Sequence, residues 1–455
     1  MKYSAFFIVF INKKSIIIVC MIATIVIAGL TFIGITLSIL LFPHIRIKNI
    51  KLDTYWLIAI VGAVILVVTT LCPIEEIVSS WTSSTAVNPL KILVLFFSMT
   101  ILSIYLDELG LFKYLATVAV NKAKGNQHLL FFVLYFLVAI LTIFTSNDIV
   151  ILTFTPFICF FCKHAKIKAL PYLIAEFVAA NTWSMMFIIG NPTNIYLATS
   201  AGITFIGYFK VMIIPTIAAG LVEILIVYFL FRKQLKEPIN NNEEEVPVHI
   251  ESKLDLIIGS LHLLVCLVFL VISPYIGIDM WLVALICASS LLICSFIIRL
   301  VTKKEWIYLE DCFKRLPYQL IPFILSMSII VITLTYQGVA GKIGELLNHG
   351  YLILNYGVSS FLFANIINNI PMSILFSNIP VALTNGDYLK ATYASIIGSN
   401  IGAFLTPIGA LAGIMFSNLL NKYDMHFSFL DFIKYGAIVS LPVLATALIT
   451  LAFIL

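Results

Sequence analysis

Four short polar patches interrupt an otherwise apolar chain: Ser146-Asn147-Asp148, Gly190-Asn191-Pro192-Thr193-Asn194, Asn368-Asn369 with Pro371, and Asn400 with Thr406-Pro407-Ile408-Gly409. Each lies inside a run long enough to enter a bilayer. A helix broken at such a patch offers free N–H groups and partial positive charge at one end, and free carbonyls at the other. The first suits an anion and the second a small cation. Asn, Ser and Thr add neutral donors and acceptors without a buried charge. Asp148 is the exception. An ionisable group at membrane depth costs at least about 2.5–3.5 kcal/mol, and such residues are usually functional. It reads as a carboxylate coupling transport to protons or a cation. The plainer alternative is a helix cap, with Asn147 or Asp148 satisfying free N–H groups. Gly190, Pro192, Pro407 and Gly409 also have a plain reading as helix-kinking residues. Their recurrence after a hairpin in both halves favours site involvement.

The elements that must position these patches follow from composition. Of 455 residues, 61% are hydrophobic and 11% charged, with a mean hydropathy of +1.09. A soluble globule carries roughly 25% charged residues, so a soluble enzyme is excluded. Apolar runs of about 18 residues or more predict an all-α polytopic membrane protein with about 10–11 transmembrane helices. The net charge of +5 resides mostly in short loops and sets orientation, with no nucleic-acid partner implied. No small-residue cleavage site follows the first apolar run, so no cleaved signal is expected. The eight cysteines carry no redox message. Cys159 and Cys162 lack a second ligand pair for a metal.

The chain divides into an N-terminal half (1–232), a polar cytoplasmic linker (233–253, with Asn240–Asn242 and Glu243–Glu245) and a C-terminal half (254–455). The first half holds a basic loop (His44, Arg46, Lys48, Lys51), an acidic loop (Glu75, Glu76) and an amphipathic surface helix from Phe112 to Lys124. A hairpin over 128–162 follows, with its tip at Thr145–Asp148, then a broken helix over 170–198. Glu176 in that helix reads as a structural residue near the inner interface. The second half has a basic loop (Arg299, Lys303, Lys304, Lys314, Arg315), a hairpin over 351–383 with its tip at Asn365–Pro371, and a broken helix over 389–416. Irregular backbone at this depth is tolerated only where protein or water satisfies it.

The halves repeat. Leu95-Phe96-Phe97-Ser98-Met99-Thr100-Ile101 matches Phe323-Ile324-Leu325-Ser326-Met327-Ser328-Ile329, and Gly110 meets Gly338 at the same offset. Flanking charge runs in opposite senses, so the repeats are expected to lie upside down relative to one another. Secondary transporters use that plan and bind substrate at the repeat interface near mid-membrane. Ten crossings leave Lys2, Lys13 and Lys14 outside, which is the reason for allowing an eleventh.

At these motifs the sequence resembles the ion transporter superfamily, nearest the arsenite permease family and more distantly the divalent anion/sodium symporters. Asn147-Asp148 with Leu152-Thr153 and Pro156 is similar to the first hairpin of the arsenite permeases. Asn368-Asn369-Ile370-Pro371 resembles their second, and Thr406–Ala412 their second broken helix. Asp107-Glu108-Leu109-Gly110 also fits. Gly190–Asn194 looks more like the hinge of the anion symporters. The resemblance implies a scaffold and a moving transport domain in a homodimer with an elevator motion. It also implies one subsite at the first tip with Gly190–Asn194 and a mirror subsite at the second tip with Thr406–Gly409. A sodium site would fall at Ser146, Asn147, Gly190 and Asn194. The symporters carry Ser-Asn-Thr at their tips; here Asp148 replaces the threonine and the second tip reads Asn-Asn-Ile.

The expected function is therefore a multi-pass cell-membrane carrier of a small inorganic ion or oxyanion, arsenite-like, coupled to protons, cations or membrane potential. Sodium-coupled dicarboxylate or citrate uptake and sodium/proton antiport are the alternatives. No resident cofactor is expected beyond a coupling sodium ion or proton. An ATPase subunit is an expected partner only for a pump, since the chain has no GxxxxGK[ST] motif. It has no HExxH either, and an enzyme is not expected.

Overall fold

A computed structural model of the chain describes residues 13–42, 44–47, 50–83, 88–123, 125–237, 250, 252–302, 307–423, 425 and 427–455. Lys2, Lys48, Lys124, Lys303, Lys304 and the Asn240–Glu245 stretch of the linker lie outside the described residues. The first ten helices are α1 (Lys13–Leu41), α2 (Thr54–Val68), α3 (Ile74–Thr82), α4 (Pro89–Glu108), α5 (Leu111–Ala123), α6 (Gln127–Phe144), α7 (Asn147–His164), α8 (Leu170–Trp183), α9 (Pro192–Ser200) and α10 (Phe205–Phe231). The second ten are α11 (Lys253–Ile276), α12 (Met280–Thr302), α13 (Ile307–Lys314), α14 (Leu320–Tyr336), α15 (Val339–Leu347), α16 (Leu352–Ile367), α17 (Asn369–Phe376), α18 (Asn385–Gly402), α19 (Leu411–Lys422) and α20 (Phe429–Ile454).

These two sets correspond one to one. The frame pairs α1 with α2 and α11 with α12, while α4 packs on α12 and α14 on α2. Among the remaining helices, α6 packs on α8 and α16 on α18, and α10 packs on α20. Between the repeats the pairing crosses over: α7 packs on α19, and α17 on α9. The correspondence reaches single residues. Trp56-Leu57-Ile58-Ala59 matches Trp281-Leu282-Val283-Ala284 at one constant offset, which also relates Ala63 to Ala288 and Leu66 to Leu291. All six of Ala59, Ala63, Leu66, Ala284, Ala288 and Leu291 are buried. Small residues four apart let helix backbones approach closely where lipid supplies no hydrophobic drive.

Among the described residues, seven helices are long and apolar enough to span a membrane, or eight if α14 and α15 count as one bent span. Six of the seven and the bent pair are expected crossings and the seventh is the hairpin arm α6; the other three expected crossings are the short α2 and the broken α8–α9 and α18–α19. After α4 and α14 the chain turns at Gly110 (φ +83°) and Gly338 (φ +77°), positions that a side chain would strain. At the second of these corners the helix axis swings by 75°.

Three loop expectations change. The basic segment is an antiparallel hairpin, β1 (His44–Ile47) with β2 (Ile50–Asp53), which sets Arg46 opposite Lys51. The acidic segment is α3, with Glu75 and Glu76 in its first turn where the helix dipole favours them. Arg299 is no loop cation: it lies inside α12, 2% exposed, 3.9 Å from Asp255 of α11. Ser295, which accepts from Arg299 Nε at 3.5 Å, also accepts from the Tyr105 hydroxyl of α4 at 3.1 Å.

Candidate transport site

The first tip is built by how α6 stops and α7 starts. Thr145 turns its hydroxyl back onto the Leu141 carbonyl at 2.7 Å. Ser146 is the N-cap of α7, in extended backbone, and its side chain makes no capping bond. The cap is thus neither Asn147 nor Asp148; Asp148 sits in the first turn, where the helix dipole favours an anion. Asn147 Nδ2 donates to Asn181 Oδ1 of α8 at 3.1 Å. Ser146 Oγ and Asn147 Oδ1 are buried and have no hydrogen-bond partner among the described residues. Unpaired buried polar atoms are costly, and at a transport site they are what a polar substrate would meet.

A cavity of about 90 Å³ opens beside this tip, lined by Ser146, Asp148 and Leu152 of α7 and by Leu411, Ile414 and Asn418 of α19. The frame closes it with Tyr55, Phe96, Thr100 and Leu320. Two acids, Asp53 and Asp148, and one cation, Arg315, line it too. Arg315 is engaged: its guanidinium lies 2.7 Å from Asp107 and bonds Glu108 as well. Asp107 also accepts from Thr153 of α7 at 2.6 Å. Gln319 Nε2 donates to Asp53 at 2.8 Å. Asp148 makes no ion pair among the described residues.

The first broken helix bends earlier than its Gly–Pro motif suggests. α8 ends at Trp183, and a 3-10 turn, Ile188–Gly190, leads into α9. A Cβ on Gly190 would stand 2.3 Å from the Ser184 carbonyl oxygen, so only glycine fits. Asn191 caps α9 by accepting from the Thr193 N–H and hydroxyl at 3.1 and 3.0 Å, ahead of Pro192 in the first turn. Asn194 Nδ2 donates to the Ser184 and Phe187 carbonyls at 2.8 and 3.2 Å. Asn400 of the opposite repeat joins this group: it accepts from Ser184 Oγ and Asn191 Nδ2, both at 2.9 Å.

The second tip is tied to the second break. Asn368, at φ +72°, donates its amide to the Ile408 carbonyl at 2.9 Å, and the Asn369 N–H donates to Gly409 at 3.0 Å. Asn365 donates to Gly402 at 3.0 Å and accepts from Thr406 at 2.7 Å. Pro371 stands in the first turn of α17, where its missing N–H costs nothing. Pro407 and Gly409 shape the turn; a Cβ on Gly409 would meet the Gly402 carbonyl oxygen at 2.5 Å.

The expected residues therefore fall into three groups: the first tip with Asn181, Gly190–Asn194 with Asn400, and Asn368–Pro371 with Thr406–Gly409. The four residues expected to share a sodium site are split between the first two groups, and the Asn194 side chain is already bonded at both ends. The second tip does not line the cavity. Glu176, expected to be structural, is 1% exposed, and both its oxygens take the Thr155 hydroxyl, at 3.0 and 3.1 Å. Asn181, Thr153 and Arg315 join these surroundings without being among the expected residues. Asn181 had a findable signal, since it precedes its half-helix cap Asn191 by the same spacing that separates Asn400 from Ala410.

Helical repeats, two polar-tipped hairpins and a cavity between frame and hairpin define a multi-pass membrane transporter, which in a bacterium places it in the plasma membrane. The citrate transporter family profile matches residues 51–388, and the chain belongs to that family. The arsenical pump membrane protein of Escherichia coli strain K12 is 28% identical over 371 residues, covering 78% of this chain and 85% of that one. A 46 kDa membrane protein of Mycobacterium leprae is 23% identical over 410 residues, covering 86% and 92%. The crystal structure of the Alcanivorax borkumensis YdaH transporter shares the fold, with a TM-score of 0.54, 13% identity and coverage of 95% and 98%.

Proposed function

We propose that this protein is a secondary transporter of a small inorganic arsenical, arsenite-like, driven by proton coupling through Asp148. The observation that carries the reading is the cavity wall: an acid without an ion-pair partner among the described residues, Asp148, beside an unpaired neutral oxygen, Ser146 Oγ, with the unpaired Asn147 Oδ1 buried behind them in the same tip. These groups suit a small, hydroxyl-bearing substrate. The names of the arsenical pump relatives support it. The frame would hold still while α6–α10 and α16–α20 move as an elevator, in a homodimer. Any ATP-driven pumping would need a separate ATPase subunit.

The family description, citrate transporter, favours a second reading, citrate uptake, with sodium as the coupling ion and dicarboxylates as related substrates. Charge argues against it. The cavity's cation, Arg315, is already shared by Asp107 and Glu108, while Asp148 remains to repel a polyanion. Arsenite and citrate uptake into proteoliposomes, with an imposed pH gradient or with sodium, separates the two. The proposal expects saturable, pH-gradient-dependent arsenite flux that Asp148→Asn abolishes while the variant still inserts and elutes as the parent does. Sodium-dependent citrate uptake with arsenite excluded would replace it with the second reading.

A further inference from the structure

Glu223 lies in the middle of α10, fully enclosed. Its carboxylate accepts a hydrogen bond from Thr182 Oγ1. The Tyr135 hydroxyl of α6 stands 2.8 Å from Glu223 Oε1 and 2.8 Å from the Gly220 carbonyl oxygen, and it accepts from Trp183 Nε1 at 3.0 Å. Gly220 makes room for this arrangement, because a Cβ there would fall 2.5 Å from the Trp183 ring. No Lys, Arg or His pairs with Glu223 among the described residues, so hydroxyl donors compensate its burial. A leucine would fill such a place without any compensation being needed.

Thr182 and Trp183 are the last two residues of α8. They stand directly between Asn181, which accepts from Asn147 of the first tip, and Ser184, which donates to Asn400 of the opposite repeat. The helix gives way there to two short turns, Met185 N–H to the Thr182 carbonyl at 3.2 Å and Met186 N–H to the Trp183 carbonyl at 3.1 Å, in place of continued α-helix. The bonds to Glu223 and Tyr135 hold this end from the side. α20, the counterpart of α10, has no acidic residue beyond Asp431, so the device belongs to the first repeat.

We propose that Glu223 is a positioning residue for the transport site. By fixing Thr182 directly, and Trp183 through Tyr135, it sets the angle at which the end of α8 presents Asn181 to the first tip and Ser184 to Asn400. This rests on the reading of the first tip as part of the transport site.

The test reads the tip in two ways on the full-length protein in proteoliposomes. One is the labelling rate of Ser146→Cys by a membrane-impermeant maleimide, taken above the background of the eight native cysteines. The other is the KM and maximal rate of arsenite uptake, without that cysteine. Glu223→Leu and Thr182→Val should each change the labelling rate at least fivefold and raise KM at least fivefold, with less than twofold change in maximal rate per folded molecule. Glu223→Gln, which keeps an acceptor for Thr182, should stay within twofold of the parent. The double variant should be no worse than Glu223→Leu alone, since that variant already breaks the bond that Thr182→Val removes. Folded Glu223→Leu or Thr182→Val with unchanged labelling and KM overturns the proposal, as does additivity in the double variant. If Glu223→Leu fails to fold, the near-isosteric Thr182→Val decides. If arsenite uptake is absent or indifferent to Asp148→Asn, the functional reading fails while the labelling result still judges Glu223.

Discussion

Asn400 and Asn194 bond one another across 206 residues of chain: Asn400 Nδ2 donates to Asn194 Oδ1 at 2.6 Å. The same Asn400 accepts from Ser184 and Asn191 and donates to the Ile396 carbonyl at 2.8 Å, so one amide joins both broken helices. Asn400→Ala leaves three buried polar groups of the opposite repeat without this partner. It should destabilise the protein by on the order of 3 kcal/mol, read as a lower midpoint in thermal unfolding in detergent. A midpoint within a degree of the parent contradicts the joining role.

Asn368 holds a backbone conformation that non-glycine residues rarely adopt, at a cost of about 1–3 kcal/mol. Alanine and glycine there both lose the amide bond to Ile408, but glycine alone relieves the strain. Asn368→Gly should therefore unfold later than Asn368→Ala, by about 1 kcal/mol or more. Equal stability of the two variants counts against the strain.

Removing Arg315 strands a buried acid. Asp107 is 5% exposed, and Arg315 is its ion-pair partner. Arg315→Ala should cost roughly 3–5 kcal/mol, and adding Asp107→Asn to it should restore part of the loss. A double-variant cycle by chemical unfolding checks this; strict additivity denies the coupling.

At the opposite end of the frame, Trp281 and Lys91 hold Asp279 below its ordinary pKa of 3.8, Lys91 Nζ standing 3.1 Å away. A depressed folded-state value means this stabilisation is complete above the unfolded value and fades as pH falls through the folded one. Because the Asp279 side chain is 60% exposed, the contribution should stay under about 1 kcal/mol. Stability measured between pH 6 and about 3 should decline slightly less steeply in Asp279→Asn than in the parent. Identical slopes remove the interaction from the account.

Much of this architecture is legible in the amino-acid sequence. The halves, both hairpins and the breaks follow from apolar runs interrupted by Asn, Gly and Pro, because bilayer thickness leaves few ways to arrange such runs. The register between halves was read from α4 and α14 alone; the Trp56 and Trp281 segments carry the same signal but are apolar throughout, so their kinship hides in background. Site geometry was harder. Nothing in spacing reveals that Asn194 turns to Asn400 and not to the first tip, since that choice depends on where α8 actually stops. Arg299, Glu176 and Glu223 were obscured for one reason: their partners, Asp255, Thr155 and Thr182, sit on other helices, and pairings between helices leave no local trace.

The two glycine corners at Gly110 and Gly338 also set a mechanical limit. Each joins the frame to the hairpins through a single short strut: α5 with 13 residues and α15 with 9. At 1.5 Å per residue these struts measure about 20 and 14 Å. In the elevator motion proposed above, tethers of unequal length would have to swing through unequal angles to give the two hairpins one common displacement, and the shorter one would limit it.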